Sequence, residues 1–288
     1  MTQLKTLLGD YPLTATLKSG AIASESVELD FANYQPTHTG FKPMVREGKF
    51  DVSEMAIVTY LIAKAHNKPM VLLPAVVTGR FQHDYAIYNR AHGVVTPTDL
   101  KGKRIGIRSF TTTTGAWIRG ILANDYKVDL ASNRWITFED PHVAEYADAS
   151  ERAPAGKKII DMLLGGELDA VLGERSDQPG LGTVFADPAA EAIAWCARNG
   201  FAPINHMVVV SEKLAKDNPD AVREVFRMLK ASKAKAAKPE GGIDFCPFGL
   251  EAVRKPLEAI IRYAAQQALI PRAYAVEELF GGTTRELV

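Results

Sequence analysis

Between Arg104 and Leu122 the chain passes from four alternating residues, through a run of hydroxyls, into an amphipathic stretch, and that order leaves few folds open. Arg104-Ile105-Gly106-Ile107 has the period of a short buried strand and follows the turn pair Lys101-Gly102. Ser109 and Thr111 to Thr114 make the loop, and Trp117, Ile118, Ile121 and Leu122 then recur on neighbouring helical faces. Strand-like and helix-like segments keep alternating along the rest of the chain. Such alternation builds α/β domains with mostly parallel sheets, in which ligands gather at the carboxyl ends of strands and between domains.

The other elements are expected as follows. Tyr11, Leu13, Ala15 and Leu17 alternate like a strand, and Val27, Leu29 and Phe31 like a second one. Ser53 reads as the N-cap of a helix carrying Met55, Val58, Leu61 and Ile62, with Glu54 in its first turn. Val71 to Val77 is a β-branched run suited to a buried parallel strand. Further strands are expected at Tyr85 to Tyr88, Trp135 to Phe138, Asp169 to Gly173 and His206 to Val210, and helices at Ile159 to Leu164, Ala189 to Arg198 and after Asn218-Pro219.

Length and charge narrow the function classes. A chain of 288 residues is long enough for two cores, and 34 basic against 34 acidic residues argues against a nucleic-acid partner. Cys196 and Cys246 lack metal-like spacing. No apolar run approaches the roughly 20 residues of a membrane span. The N-terminal residues lack a basic stretch followed by an apolar one, so a cytoplasmic location is expected.

Several side chains could carry chemistry. A helix start offers unpartnered N–H groups and the positive end of the helix dipole, so the stretch from Arg108 through Ser109, Thr111, Thr112 and Thr113 suits a carboxylate or phosphate. The alternative is that one threonine caps the helix and the others line a loop. Arg80, Arg108 and Arg175 sit in loops where a guanidinium could take a carboxylate in bidentate fashion, or make surface ion pairs. Trp117 is expected in the core, with stacking on a ligand as the lesser reading. His38, His83, His206 and Glu54 could supply metal ligands by composition, yet no spacing demands it.

The segments Phe50-Asp51-Val52-Ser53-Glu54-Met55, Trp117-Ile118-Arg119-Gly120-Ile121-Leu122 and Pro203-Ile204-Asn205-His206, with Arg80 and His83 ahead of Ala86-Ile87-Tyr88 and with Phe248-Gly249-Leu250-Glu251, carry a resemblance. The chain resembles the 4,5-dihydroxyphthalate decarboxylases, which use the type II periplasmic-binding-protein fold. The resemblance implies two lobes, 1–92 with 204–288 and an inserted 93–203, joined by two crossing strands with a ligand cleft between them. It implies that Glu54, Arg80, His83 and His206 face the cleft from one side, and Arg108 to Thr114 and Arg175 from the other. Thr37-His38-Thr39, Gln82 and Arg108-Ser109-Phe110-Thr111 depart from the family's pattern, so the acid bound here need not be the same one.

The expected activity is therefore that of a carbon–carbon lyase in aromatic catabolism, decarboxylating a hydroxylated aromatic acid such as a 4,5-dihydroxyphthalate-like compound. His83 or His206 would protonate the ring carbon, because histidine titrates near neutrality. Glu54 would orient a histidine, accept a phenol proton or cap its helix. Arg80, Arg108, Arg175, His38 and the hydroxyl loop would bind carboxylates. No organic cofactor is expected, since a ring hydroxyl can supply the electron push, and a divalent metal stays open. The partner is a small aromatic carboxylate, and self-association into a homo-oligomer is left open. The rival is a solute-binding protein without chemistry, serving uptake of an aromatic or other small organic anion; the fold hosts both kinds.

Overall fold

The computed structural model describes residues 1–237 and 240–288. Its strands are β1 (Thr2–Leu7), β2 (Val27–Phe31), β3 (Val52–Ala56), β4 (Met70–Gly79), β5 (Ala86–Asn89), β6 (Arg104–Ile107), β7 (Arg134–Thr137), β8 (Glu151–Arg152), β9 (Ala170–Leu172), β10 (Leu181–Thr183) and β11 (Ile204–Ser211). They form a five-stranded sheet in the order β2-β1-β3-β11-β4 and a six-stranded sheet in the order β10-β5-β9-β6-β7-β8. Helices flank both, which makes this a two-lobed α/β fold.

Pairs joined by ordinary crossovers are parallel: β1 with β2 and β3, and β6 with β7 and β9. The antiparallel strands are those next to the passages between sheets, with β11 against β3 and β4, and β5 against β9 and β10. The run Val71 to Val77 is thus antiparallel to its neighbour. It is apolar throughout because both faces are covered: Leu72 and Val76 enter one core cluster, Leu73, Ala75 and Val77 the other.

Three other expectations change. Tyr11 to Leu17 is a helix, Pro12–Lys18, because Pro12 suits a first turn and Leu13 and Leu17 lie one turn apart on the buried face. Ser232 ties that face to the helix Pro219–Lys235, donating to the Leu13 carbonyl at 2.7 Å and accepting from the Leu17 N–H at 3.0 Å. Ser53 caps no helix; Ser53 and Glu54 lie inside β3 opposite Val209 and Val208, and the helix Ile57–Ala65 follows the strand directly. The strand Ala86–Asn89 pairs in the second sheet, so the first passage between sheets falls between Gly79 and Ala86, ahead of the expected 92/93 boundary.

The helix Thr113–Asp125 knits the lobes together. Trp117 is wholly buried and donates its indole N–H to the Ile204 carbonyl at 2.7 Å. Its ring meets Trp195 and Tyr263 edge-on. A Cβ on Gly120 would stand 2.0 Å from the Tyr263 ring, so only glycine allows the helix Leu250–Gln266 to approach this closely. No helix among the described residues is long and apolar enough to cross a membrane.

Candidate functional site

Loops at the carboxyl ends of β3, β4, β6, β7 and β9, with the start of β11, enclose a cavity of about 350 Å³ between the sheets. That is room for one small ring with substituents. The first lobe contributes His38, Thr59, Arg80, Asn205 and His206; the second contributes Arg108 to Ser109, Thr111 to Thr114, Glu139, His142 and Glu174.

At one wall stands a pair the strand register dictates. β11 lies between β3 and β4, which sets His206 opposite Ala56 and brings its Nδ1 to 2.6 Å from Oε1 of Glu54. Glu54 is fully buried and takes two more hydrogen bonds, from the Tyr11 hydroxyl at 2.7 Å and the Gly9 N–H at 2.8 Å. Burial by itself would raise this carboxyl, but the hydrogen bond and charge of His206, with those from Tyr11 and Gly9, outweigh it and hold Glu54 below its ordinary value. Glu54 is therefore a carboxylate. With Nδ1 committed to it, Nε2 is the His206 nitrogen left for a ligand.

The other two histidines at the cavity are neutral. The His38 Nε2 lies 3.1 Å from the Arg108 Nη1, and since a guanidinium only donates, Nε2 accepts. Burial and the Arg108 charge lower its pKa. His142 holds the Thr59 hydroxyl at 2.9 Å through Nδ1, and burial pushes its pKa down to about 3.

Facing this wall is the start of the helix Thr113–Asp125. Its N-cap, Thr112, makes no side-chain cap, and its hydroxyl has no protein partner although buried. The neighbouring hydroxyls are engaged: Ser109 with Thr111 at 3.0 Å, Thr113 accepting from the Val58 N–H at 3.2 Å, and Thr114 accepting from Arg80 at 2.8 Å. Arg80 stacks on Tyr85, and Arg108 lies 3.7 Å from Glu139. Glu174 also lines the cavity, and its carboxyl is raised by burial against the opposing charge of Arg108.

Of the residues singled out from sequence, Glu54 and His206 meet at one wall, while Arg80, Arg108, Ser109, Thr111, Thr112, Thr113 and His38 line the same cavity. Three lie elsewhere. His83 packs on Phe185 at 4.7 Å, its Nδ1 has no partner, and burial lowers its pKa to about 4, so it is a neutral core side chain. Arg175 is exposed beside Asp177 and does not line the cavity, although its neighbour Glu174 does. Trp117 belongs to the core, as does Gln82, which donates to the Asn205 Oδ1 at 2.9 Å. The sequence leaves His142 ambiguous between surface and site and does not single out Tyr11, Glu139 or Asn205, of which only Asn205, beside His206, carries a usable signal. No group of three or more His, Cys, Asp or Glu side chains among the described residues is arranged to hold a metal ion.

No known family profile matches the chain. A 4,5-dihydroxyphthalate decarboxylase of Comamonas testosteroni is 29% identical over 251 residues, covering 81% of this chain and 76% of its own. The enzyme of the same name from Pseudomonas putida is 26% identical over 208 residues, covering 67% and 80%. Among solved structures, the alkanesulfonate-binding protein SsuA from Xanthomonas axonopodis pv. citri, bound to MOPS, superposes with a TM-score of 0.58 at 14% identity over 98% of both chains. The chain thus carries the type II periplasmic-binding-protein fold and resembles the 4,5-dihydroxyphthalate decarboxylases along most of its length.

Proposed function

We propose that the protein is a decarboxylase of hydroxylated aromatic carboxylic acids, with 4,5-dihydroxyphthalate or a close relative as substrate. The observation that carries this reading is the buried Glu54 carboxylate at 2.6 Å from Nδ1 of the cavity histidine His206. A site that only captures an anion needs cations and N–H donors. A carboxylate buried behind a histidine is the arrangement that stabilises and aims an imidazolium.

Ring decarboxylation needs a proton at the carbon that loses CO2. In the proposed step a ring hydroxyl ortho or para to that carbon releases electron density, and His206 Nε2–H delivers its proton there, forming the new C–H bond. The C–C bond to the carboxylate then breaks, its electron pair restores the aromatic ring, and CO2 departs. His206 is left neutral and regains a proton from solvent. The carboxylate that leaves becomes uncharged, so strong cationic contacts to it would stabilise the ground state more than the transition state. The helix start and Arg80 therefore suit a second, retained carboxylate, which anchors the ring, while the departing one lies towards His206. A dicarboxylate fits this division better than a monocarboxylate. An intracellular setting, where aromatic acids are broken down, is part of the same proposal.

The test is incubation with a panel of hydroxylated benzene mono- and dicarboxylates while CO2 is followed. Turnover of an ortho-dicarboxylate, lowered at least about a hundredfold in His206→Ala, supports the reading. Tight binding of one acid with no turnover of any would leave the solute-binding alternative, which the fold shared with SsuA accommodates.

A further inference from the structure

The helix that starts at the cavity carries a charged side chain that makes no ion pair among the described residues. Arg119 is wholly buried, and among the described residues no carboxylate pairs with it. Its Nε donates to the Gln267 Oε1 at 2.7 Å and its Nη2 to the Phe110 carbonyl at 2.7 Å, both neutral acceptors. Its Nη1 has no partner. The rings of Phe110 and Trp135 cover the guanidinium, with centroids at 4.0 and 5.4 Å. Removing a full charge from water is costly, and two neutral hydrogen bonds with the charge of Asp148, which forms no ion pair with it, do not offset it.

The direction of the side chain shows where the charge is felt. Helical side chains lean towards the N-terminus, so Arg119 reaches back under the loop that forms the cavity wall. A Cβ placed on Gly115 would stand 3.3 Å from Arg119 Nη1 and 2.8 Å from Thr112 Oγ1, so the two unpartnered polar atoms border the same point. One placed on Gly173, which lines the cavity, would be 3.8 Å from Thr112 Oγ1 and from the Gly115 backbone nitrogen. Gly115 thus leaves room for the Ile107 side chain, Thr112 Oγ1 and Arg119 Nη1 to meet at one point, and Gly173 lets the chain pass close to the helix start.

We propose that Arg119 is a positioning residue whose buried charge, together with the helix start above it, selects a carboxylate at Thr112 and binds it without touching it. This rests on the cavity anchoring a carboxylate at the helix start, as proposed above. The charge also fixes the wall itself, because the Phe110 carbonyl it holds lies between Ser109 and Thr111. Wholly buried with the Phe110 and Trp135 rings against it, the guanidinium also borders a second cavity lined by the same rings, and its burial is what limits screening by solvent.

The test compares 3,4-dihydroxybenzoate, which keeps one carboxylate, with the uncharged 3,4-dihydroxybenzamide, titrated into the wild type, Arg119→Lys and Arg119→Met. The expected result is that Arg119→Met binds the benzoate about tenfold more weakly, the order of effect of a nearby full charge at the effective dielectric of a protein. The benzamide is bound equally by all three, and Arg119→Lys recovers most of the benzoate affinity. If Arg119→Met does not fold, Arg119→Gln replaces it in the same comparison. An equal loss for both probes would mark a purely structural role and overturn the proposal. So would no loss for either, or a wild type that does not prefer the benzoate. Neither probe has to turn over, so the result is separate from whether the protein releases CO2.

Discussion

Glu54→Gln keeps the shape of the side chain and removes its charge, and its consequences follow from the three hydrogen bonds found at that carboxylate. Oε1 accepts from His206 and Tyr11, and Oε2 accepts from the Gly9 N–H. A glutamine presents one oxygen and one NH2: with the oxygen towards His206 and Tyr11 the Gly9 N–H meets a donor, and with the oxygen towards Gly9 both His206 Nδ1 and the Tyr11 hydroxyl have to accept where they now donate. An orphaned buried donor costs about 1–3 kcal/mol. At roughly 2–4 °C per kcal/mol for a chain of this size, the variant melts about 5 °C lower. The pH dependence changes in a defined direction. A carboxyl held below its ordinary 4.5 stabilises the fold above that pH and loses this contribution as acid is added through its native value, so Glu54→Gln removes part of the acid destabilisation. The larger effect is on the reaction, because an imidazolium at His206 loses the charge that stabilises and aims it. Loss of general acid catalysis is worth about 10²–10⁴ in rate, so kcat falls by at least about a hundredfold while KM changes little. Steady-state kinetics of Glu54→Gln, His206→Gln and the double variant check this. If the two act as one unit, the double variant is no slower than His206→Gln alone. A Glu54→Gln enzyme within about threefold of wild type, or losses that multiply in the double variant, would refute the pairing.

Three smaller perturbations test other parts of the account. Tyr11→Phe removes one of the three donors to Glu54 and lowers kcat by about tenfold, the worth of one hydrogen bond to a charged group; unchanged kcat would show that Tyr11 is only packing. His83 and His142 bind protons in the native state only near about 4 and about 3, whereas in the unfolded chain they do so near 6.5, so unfolding takes up protons and stability falls as pH drops below about 6.5. His83→Leu flattens that fall in urea titrations and leaves turnover intact; lost turnover would return His83 to the mechanism. Gly120→Ala drives a methyl into the Tyr263 ring and lowers stability by about 1–3 kcal/mol, measured by denaturant unfolding, and an unaltered midpoint would contradict the packing described.

Much of the site was legible because strand ends can be read from sequence. The Arg104–Ile107 strand, its hydroxyl loop and the following helix stand where their pattern put them, and the loop does line the cavity. Periodicity failed where an element continues into the next without a turn. β3 runs into the helix Ile57–Ala65 at Ala56, so Ser53-Glu54 looked like a helix start and Glu54 like a cap. Tyr11 was hidden for a related reason: an alternation of four residues fits both a strand and the helix Pro12–Lys18, and only the second reading places the phenol over Glu54. His83 and Arg175 lie near strand ends like the residues that line the cavity, and what separates them is the direction each side chain takes, which only tertiary packing decides. The segment from Trp117 to Leu122 packs the lobes together, and Arg119, its one charged residue, donates to the Phe110 carbonyl in the loop beside the cavity.

The central claim is that His206, backed by Glu54, protonates a ring carbon as CO2 leaves. Its most direct measurement is release of labelled CO2 from carboxyl-labelled 4,5-dihydroxyphthalate by the wild type and His206→Gln, each at saturating substrate. The expected result is one CO2 per 3,4-dihydroxybenzoate formed by the wild type, with half of the label released and half retained in the product, and at least about a hundredfold slower release from a variant that still binds the acid. A wild type that binds the acid tightly and releases no label, or a variant that releases it at the wild-type rate, would contradict it.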